Sequence, residues 1–410
     1  AWTALAIVIW VPLLVLGTTF LGGTILEPIE AVIGKGFWAW ITVGVVLLVL
    51  LHVISLVARA DGRLRLRTFF VRCTRWEFWP TLMVYGPILP WFIYIYLRTG
   101  RMRTATSVDP CWPDGGTIGE SKQRVLALFP NSFVEPSFQC EPNQDPSNTL
   151  QRIKEEGWSW PVILKPNEGY RGQGVKLVES AERMQSLLDE SMIPLIAQRY
   201  HPGPFEAGLF WWRRPGSEKG VLFTICDKIF PIVTGDGQST LRELIIANKR
   251  FRLQHRVYFK RFEDRLEEVL VRGEDLQLTH AGNHSQGCMF RDGEHLRTPA
   301  LEHWIDEACS QVPGYFYGRV DVRYADVDEF KRGESISIIE ANGLSSESTN
   351  MYDPSFPITR AWKIMRKHWV VAMEIGNMNR SRGIKGINEW KYLKNWIHWR
   401  RKGRSTELAD

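Results

Sequence analysis

The sequence predicts an α+β unit preceded by a transmembrane helical hairpin and an interfacial or re-entrant segment. Three observations carry this. Residues 4–21 and 39–58 are apolar runs without a charged side chain. The stretch WPVILKPNEGYRGQGVKLV (160–178) reads as strand, glycine loop, strand. GRVDVRY (318–324) and SISIIEANG (335–343) alternate apolar and polar residues at the period of a strand. A chain of 410 residues, 44% of them hydrophobic, supports one large core plus additional parts.

Taken in order, ALAIVIWVPLLVLGTTFL (4–21) and AWITVGVVLLVLLHVISLVA (39–58) each approach the roughly 20 apolar residues that span a bilayer. The first lacks the basic start and A-x-A-like end of a signal peptide, so a two-helix hairpin is the reading taken. The net charge of +6 is unevenly spread: residues 59–103 hold nine arginines against only Asp61 and Glu77. Because that cluster abuts hydrophobic segments, it points to anionic membrane lipids, and nucleic acid is not an expected partner. The loop between the two apolar runs carries Glu27, Glu30 and Lys35, so the charge bias places the chain beyond residue 58 in the cytoplasm, on an inner (cytoplasmic) membrane. FWPTLMVYGPILPWFIYIYL (78–97) contains Pro80, Pro87 and Pro90, which disfavour one straight helix, and arginines flank both ends. It reads as an interfacial or re-entrant segment, the alternative being a buried element of the soluble unit. The six cysteines are scattered with no CxxC pair, which argues against a disulfide framework or zinc ribbon.

In 160–178 a short apolar run ends in Lys165-Pro166, a loop with Gly169, Gly172 and Gly174 follows, and the chain resumes as Val175-Lys176-Leu177-Val178. The pattern is neither GxxxxGK[ST] nor a GxGxxG that opens a helix. It describes a hairpin whose tip can fold over an anion, with backbone N–H groups and the Lys165 ammonium as partners. In 318–324 and 335–343, Asp321 on one strand and Glu340 and Asn342 on the other project from strand ends. Two such carboxylates about 4 Å apart repel by roughly 4 kcal/mol at an effective dielectric near 20. A hard divalent cation reverses that sign, and all-oxygen donors suit magnesium; two solvated surface carboxylates are the alternative. IAQRYHPGPFEAGLFWW (196–212) reads as strand, turn, strand, with Gln198 and Tyr200 on one face and Glu206 after the turn. It suits an adenine slot, or is a plain hairpin.

The order of these motifs over residues 117–375 resembles the ATP-grasp superfamily of carboxylate–amine ligases, closest in layout to D-alanine–D-alanine ligases. PIVTGDGQSTLRELI (231–245) resembles a segment of cyanophycin synthetase-type ligases. The resemblance implies an ATP-grasp fold, two α+β subdomains clasping ATP, with magnesium as the metal. It implies that Lys122 in GESKQ and Lys165 in VILKP face phosphates. Residues 169–174 (Gly169, Arg171, Gly172, Gln173 and Gly174 among them) correspond to the lid over the β- and γ-phosphates. Gln198 and Tyr200 take the hinge positions at adenine and Glu206 the ribose position, and Lys228 in CDKIF aligns loosely with a phosphate contact. Asp321, Glu340 and Asn342 match metal ligands, and Arg319 matches an arginine that steadies an acyl phosphate. Gly343 sits in the loop whose amides face the developing oxyanion. The implied reaction activates a carboxylate as an acyl phosphate, releasing ADP, and joins it to an amine or other nucleophile. A phosphotransferase and a non-catalytic nucleotide-sensing membrane protein are the alternatives. Family members place a sizeable Rossmann-like domain ahead of the lysine motifs; here membrane-directed sequence stands in that place. Residues 76–112 are therefore expected to bring a membrane-associated or lipid-linked substrate to the site.

LTHAGNHSQGCMFRDGEH (278–295) has the glycines and polar side chains of a substrate-contacting loop, and its His and Cys spacing does not suit zinc. The serines of SSESTNMYDP (345–354) directly follow the metal strand and read as substrate contacts or turn formers. In INEWKYLKNWIHWRRKGR (387–404), Trp390, Leu393, Trp396 and Ile397 recur at helical spacing among basic residues, suiting either core packing or a bilayer surface. The expected organisation is thus 1–58 hairpin, 59–112 juxtamembrane segment, 113–375 catalytic domain and 376–410 tail.

Overall fold

Period-two alternation builds two antiparallel sheets in the computed structural model, which describes residues 37–118, 121–168 and 174–403, with side chains at all of these except 37–40, 42, 56, 60, 61 and 401–403. The chain divides between Thr74 and Arg75 into two compact units.

In the first unit the helix Phe37–Ala58 runs for 22 residues without a charge, about 33 Å at 1.5 Å per residue. Apolar side chains from Val45 to Val57 stand exposed around it, Leu48 to 67%. Arg63, in the following helix Ala60–Cys73, donates from Nη1 to the Val57 and Ala58 carbonyls at 3.0 and 2.9 Å. It thereby satisfies acceptors that a helix end leaves open. Among the described residues no helix is long and apolar enough to cross a membrane. The expected transmembrane hairpin is accordingly not formed by what is described: its first arm, 4–21, lies outside the described residues, and its second is this single helix.

The second unit carries both sheets. Strands β1 (Ser137–Cys140), β2 (Val162–Pro166), β3 (Lys176–Val178) and β4 (Leu195–Arg199) form the first, in the order β1-β4-β2-β3. Helices Pro146–Glu155 and Ala181–Asp189 pack on it through Ile153, Met184 and Leu187. Both helices are capped in sequence, by the Asp145 and Ser180 side chains accepting from Ser147 and Arg183 N–H groups. Strands β5 (Phe205–Trp212), β6 (Val221–Ile229), β9 (Met289–Asp292), β10 (Tyr317–Tyr324) and β11 (Ile336–Asn342) form the second, in the order β11-β10-β5-β6-β9. A small pair, β7 (Ile232–Thr234) with β8 (Asp275–Gln277), sits in the intervening insert. Residues 196–212, read as strand, turn, strand, are not a hairpin. β4 belongs to one sheet and β5 to the other, so Tyr200–Pro204 is the crossing between them. Gly203 lies against the Tyr324 backbone there, where a Cβ would collide.

The second sheet has two unlike faces. Ala207, Leu209, Trp211, Ile225, Val320 and Val322 point one way, onto Leu301, Ile305 and Ala308 of the helix Pro299–Ser310. Alternation sends Glu206, Lys228, Arg319, Asp321 and Arg323 the other way.

Residues 76–112 belong to this unit and pack on it through one face. Pro80 precedes the helix Thr81–Tyr85, and Pro87 and Pro90 occupy first-turn positions of the next two helical segments. There a missing N–H costs nothing, so the prolines start helices rather than break one. Trp76, Val84 and Ile88 bury against Met351, Ala361 and Met365. Asp109 accepts from the Phe316 and Tyr317 N–H groups at 2.8 and 2.9 Å, fastening the segment to the start of β10. The opposite face stays apolar and exposed, Leu82 at 78% and Ile93 at 50%. The tail helix Glu389–Gly403 lies alongside, with Tyr96 Oη donating to Glu389 at 3.3 Å.

Trp76 donates from Nε1 to the Phe356 carbonyl at 2.7 Å and stacks on Tyr352 at 5.6 Å. Trp76→Ala is expected to destabilise the second unit by about 3–5 kcal/mol in a urea titration, whereas Leu82→Ser should stay within about 0.5 kcal/mol. Equal, small effects would contradict the packing described here.

Candidate functional site

A cavity of about 680 Å³ opens where the two sheets meet, within the range of small-molecule sites. Strand β2 contributes Lys165, whose Nζ donates to Gln198 Oε1 at 2.8 Å and reaches across to the Ile339 carbonyl of β11 at 3.1 Å. Lys122 opens the short helix Lys122–Leu126, held by its N–H on the Asn167 carbonyl at 3.0 Å. Its Nζ lies 3.5 Å from Glu340.

The polar face of the second sheet supplies the opposing wall. β10 and β11 pair so that Asp321 stands opposite Glu340 and Arg319 opposite Asn342. Gly208, on β5 across from Asp321, leaves the room these side chains need: a Cβ there would come 3.1 Å from Asp321 Oδ1 and 3.2 Å from Arg319 Cδ. Lys228 Nζ bridges Glu206 at 2.6 Å and Asp321 at 3.0 Å. Arg319 Nε adds a contact to Asp321 at 3.1 Å, and Arg323 Nε one to Glu206 at 3.4 Å.

Burial works against the charges of Lys165, Lys228, Asp321 and Glu340, and neighbours decide the outcome. For Lys228, burial is outweighed by Asp321 and Glu206, and its pKa rises. Asp321 is likewise pushed up by burial and pulled further down by Arg319 and Lys228. Glu340, pushed up by burial, ends below its ordinary value chiefly through Lys122. Lys165 is the exception: burial wins over Glu340 and brings its pKa down to about 8. An added anion would restore its charge.

Among the described residues, six cations (Lys122, Lys165, Arg199, Lys228, Arg319, Arg323) and five carboxylates (Glu77, Glu206, Asp321, Glu340, Glu347) line the cavity. The small excess of positive charge suits an anionic ligand. Ile163, Val175 and Tyr200 add surface for a flat ring. Among the described residues no three His, Cys, Asp or Glu side chains cluster as a metal site. The third oxygen of the set here is an amide: Asn342 is beside the two carboxylates, and its buried Nδ2 has no hydrogen-bond partner. Two carboxylates and an amide oxygen on adjoining strands fit a hard divalent cation.

Of the residues singled out in the sequence, Lys122, Lys165, Gln198, Tyr200, Glu206, Lys228, Arg319, Asp321, Glu340 and Asn342 all line this cavity. Gly169, Arg171, Gly172 and Gln173 lie outside the described residues, and Gly174 stands at φ +70° ahead of β3. Glu206, expected at a ribose, has its two oxygens paired with Lys228 and Arg323. Gly343 is not on the cavity wall; a Cβ there would strike the Trp112 ring, which makes it a packing glycine. His280 and His284 line the cavity, as do Ser345 and Ser346. Sequence reasoning missed Glu77, Trp79, Tyr85, Glu347 and Tyr352, which also line it.

No protein-family model matches the chain, and no curated protein does. Solved structures give distant likenesses. The D-alanine–D-alanine ligase of Bacillus anthracis complexed with ATP is 13% identical, covering 64% of this chain and 67% of that one at a TM-score of 0.36. The VanG D-Ala:D-Ser ligase of Enterococcus faecalis is 14% identical, covering 61% of each chain at 0.33. The bifunctional glutathione synthetase of Pasteurella multocida is 14% identical, covering 60% of this chain and 36% of that one at 0.33. The matches span about a third of the synthetase and three fifths of the VanG ligase. Superpositions this loose carry no argument about activity.

Lys165 supplies a pH signature. Its folded pKa near 8 lies below the unfolded value of 10.5. The unfolded chain therefore binds the extra proton between those values, and stability rises with pH across the window. Relative to Lys165→Met, the wild type should gain roughly 3 kcal/mol from pH 7 to 10.5. A difference that stays flat in urea titrations would contradict the burial of a charged Lys165.

Proposed function

We propose that the chain is a membrane-attached ATP-grasp ligase that activates a carboxylate and joins it to an amine or other nucleophile, on a membrane-associated or lipid-linked substrate. The observation that carries this reading is the convergence of Lys165, from one sheet, with Asp321 and Glu340, from the other, on one cavity.

Bound MgATP would supply a phosphoryl group to the substrate carboxylate, giving an acyl phosphate and ADP. The chain's own residues position and neutralise. Lys122 and Lys165 take the phosphate side, and Asp321, Glu340 and Asn342 would hold magnesium. Arg319, fixed on Asp321 with Nη1 donating to the Glu347 carbonyl at 3.2 Å, offers charge where the acyl oxygen becomes negative. Burial between the sheets keeps water from a reactive acyl phosphate.

Membrane attachment is supported by three surfaces. The helix Phe37–Ala58 is uncharged. The faces of Thr81–Arg98 and Glu389–Gly403 expose Leu82, Ile93, Trp390 and Leu393. Arg98 ends the first, and lysines and arginines are interleaved with the second. On this reading the second unit works on the cytoplasmic side.

Purified full-length protein with MgATP, hydroxylamine and a mixed pool of metabolite carboxylates should form hydroxamates with matching ADP release. Asp321→Asn should lower both by at least about 100-fold at a temperature where the variant is still folded; its melting temperature should fall as well, because buried Lys228 and Arg319 lose a charged partner. ADP without hydroxamate would indicate a phosphotransferase, and neither product a non-catalytic binder. The full chain should float with phosphatidylcholine vesicles containing phosphatidylglycerol; a chain that stays at the bottom of the gradient refutes membrane attachment.

A further inference from the structure

The cavity continues beyond Arg319 into an end that nucleotide binding leaves unexplained. A chain of contacts leads there. Arg319 Nη1 donates to the Glu347 carbonyl, and Tyr352 Oη donates to the Glu347 carboxylate at 3.0 Å. Tyr352 in turn stacks on Trp76, beside Glu77. Trp79 and Tyr85, from the segment that follows the arginine-rich helix, complete the wall.

The two carboxylates at this end differ. Glu77 is saturated: Arg250 lies at 3.1 Å, with Arg75 and His284 each at 3.6 Å. Glu347 has no lysine, arginine or histidine side chain in ion-pair range among the described residues, although it borders the cavity. Burial raises its pKa to about 7, only partly countered by Tyr352. Tyr85 Oη, on the same wall, is buried with no partner. A carboxylate without a cation, flanked by aromatic rings and adjacent to the arginine of the reacting centre, is a receptor for an ammonium group on an apolar carrier.

We propose that Glu347 binds and deprotonates the amine substrate of this ligase, a primary amine whose apolar or aromatic portion lies against Trp79 and Tyr85. This deepens the ligase reading and rests on it for the chemical step. The ammonium gives one proton to the Glu347 carboxylate, and the freed nitrogen lone pair attacks the acyl-phosphate carbonyl carbon. The C–N bond forms as the C–O bond to phosphorus breaks. Phosphate leaves with that electron pair and takes the second N–H proton, and Glu347 returns its proton to water. The wall that selects the amine comes from residues 79–85, so substrate choice is tied to the segment bearing the exposed apolar face.

The test uses full-length protein and two probes of similar shape, tyramine and 4-ethylphenol, titrated calorimetrically, with MgATP binding measured on the same samples. Wild type should bind tyramine at least 10-fold tighter than 4-ethylphenol. Glu347→Gln should weaken tyramine at least 10-fold while MgATP and 4-ethylphenol binding stay within 2-fold. Tyramine bound no tighter than 4-ethylphenol by the wild type, or equally by wild type and E347Q, overturns the proposal. The wild-type comparison decides even where E347Q does not fold. Loss of MgATP binding alone, with the tyramine preference intact, would sink the nucleotide reading and leave the amine site standing.

Discussion

A buried chain of alternating charges, Glu206–Lys228–Asp321, is the constraint on which the rest of the second unit depends. Each of these side chains is at most 5% exposed. An isolated charge so placed costs several kcal/mol, and pairing repays this only when the geometry is good. The sheet provides that geometry. Glu206 and Lys228 are cross-strand neighbours on β5 and β6, Glu206 and Arg323 on β5 and β10, and Asp321 and Glu340 on β10 and β11. One-residue register slips would turn these charges into the apolar core and leave Val320 or Leu209 in the cavity. Burial of the apolar face on the helix Pro299–Ser310 thereby fixes the charged face as well.

The second consequence concerns closure between the sheets. Lys165 and Gln198 on the first sheet contact the Ile339 carbonyl on β11 of the second, and Lys122 approaches Glu340. The backbone crosses between the sheets only a few residues later, at Tyr200–Pro204. Lys165 thus meets a backbone carbonyl of the second sheet, and Lys122, on its short helix, a carboxylate of it. A polyanion entering here would exchange lysine–carboxylate contacts for lysine–phosphate ones, while a divalent cation takes over the carboxylates.

Much of this site was legible in the sequence because its parts lie on strands. Period two fixes which residues share a face, so Asp321 with Glu340 and Asn342 followed from alternation, and Lys165 from its place at a strand end. What escaped was set by packing between distant segments. Glu347 gains its character from burial and from Tyr352, and Glu77 lies some 270 residues before it in the chain. Gly343 was read as a functional amide because sequence does not reveal the Trp112 ring that fills the space above it. The pairing of Glu206 with Lys228 and Arg323 depends on strand order, which a linear reading of 196–212 as strand, turn, strand does not give. The prolines of 78–97 misled in the opposite way, since they begin short helices instead of disrupting a long one.

The joining of residues 76–112 to the two sheets of the second unit gives the site two walls of different character, one charged and cross-strand, one aromatic and carried on short helices. The most direct test of the whole account is a crystal structure of the second unit, residues 75–410, with Mg²⁺ and a non-hydrolysable ATP analogue. The account predicts a triphosphate between Lys122, Lys165 and the 169–174 loop, with magnesium on Asp321, Glu340 and Asn342. A nucleotide bound elsewhere, or magnesium on other ligands while Lys228 keeps its hold on Asp321, would contradict it.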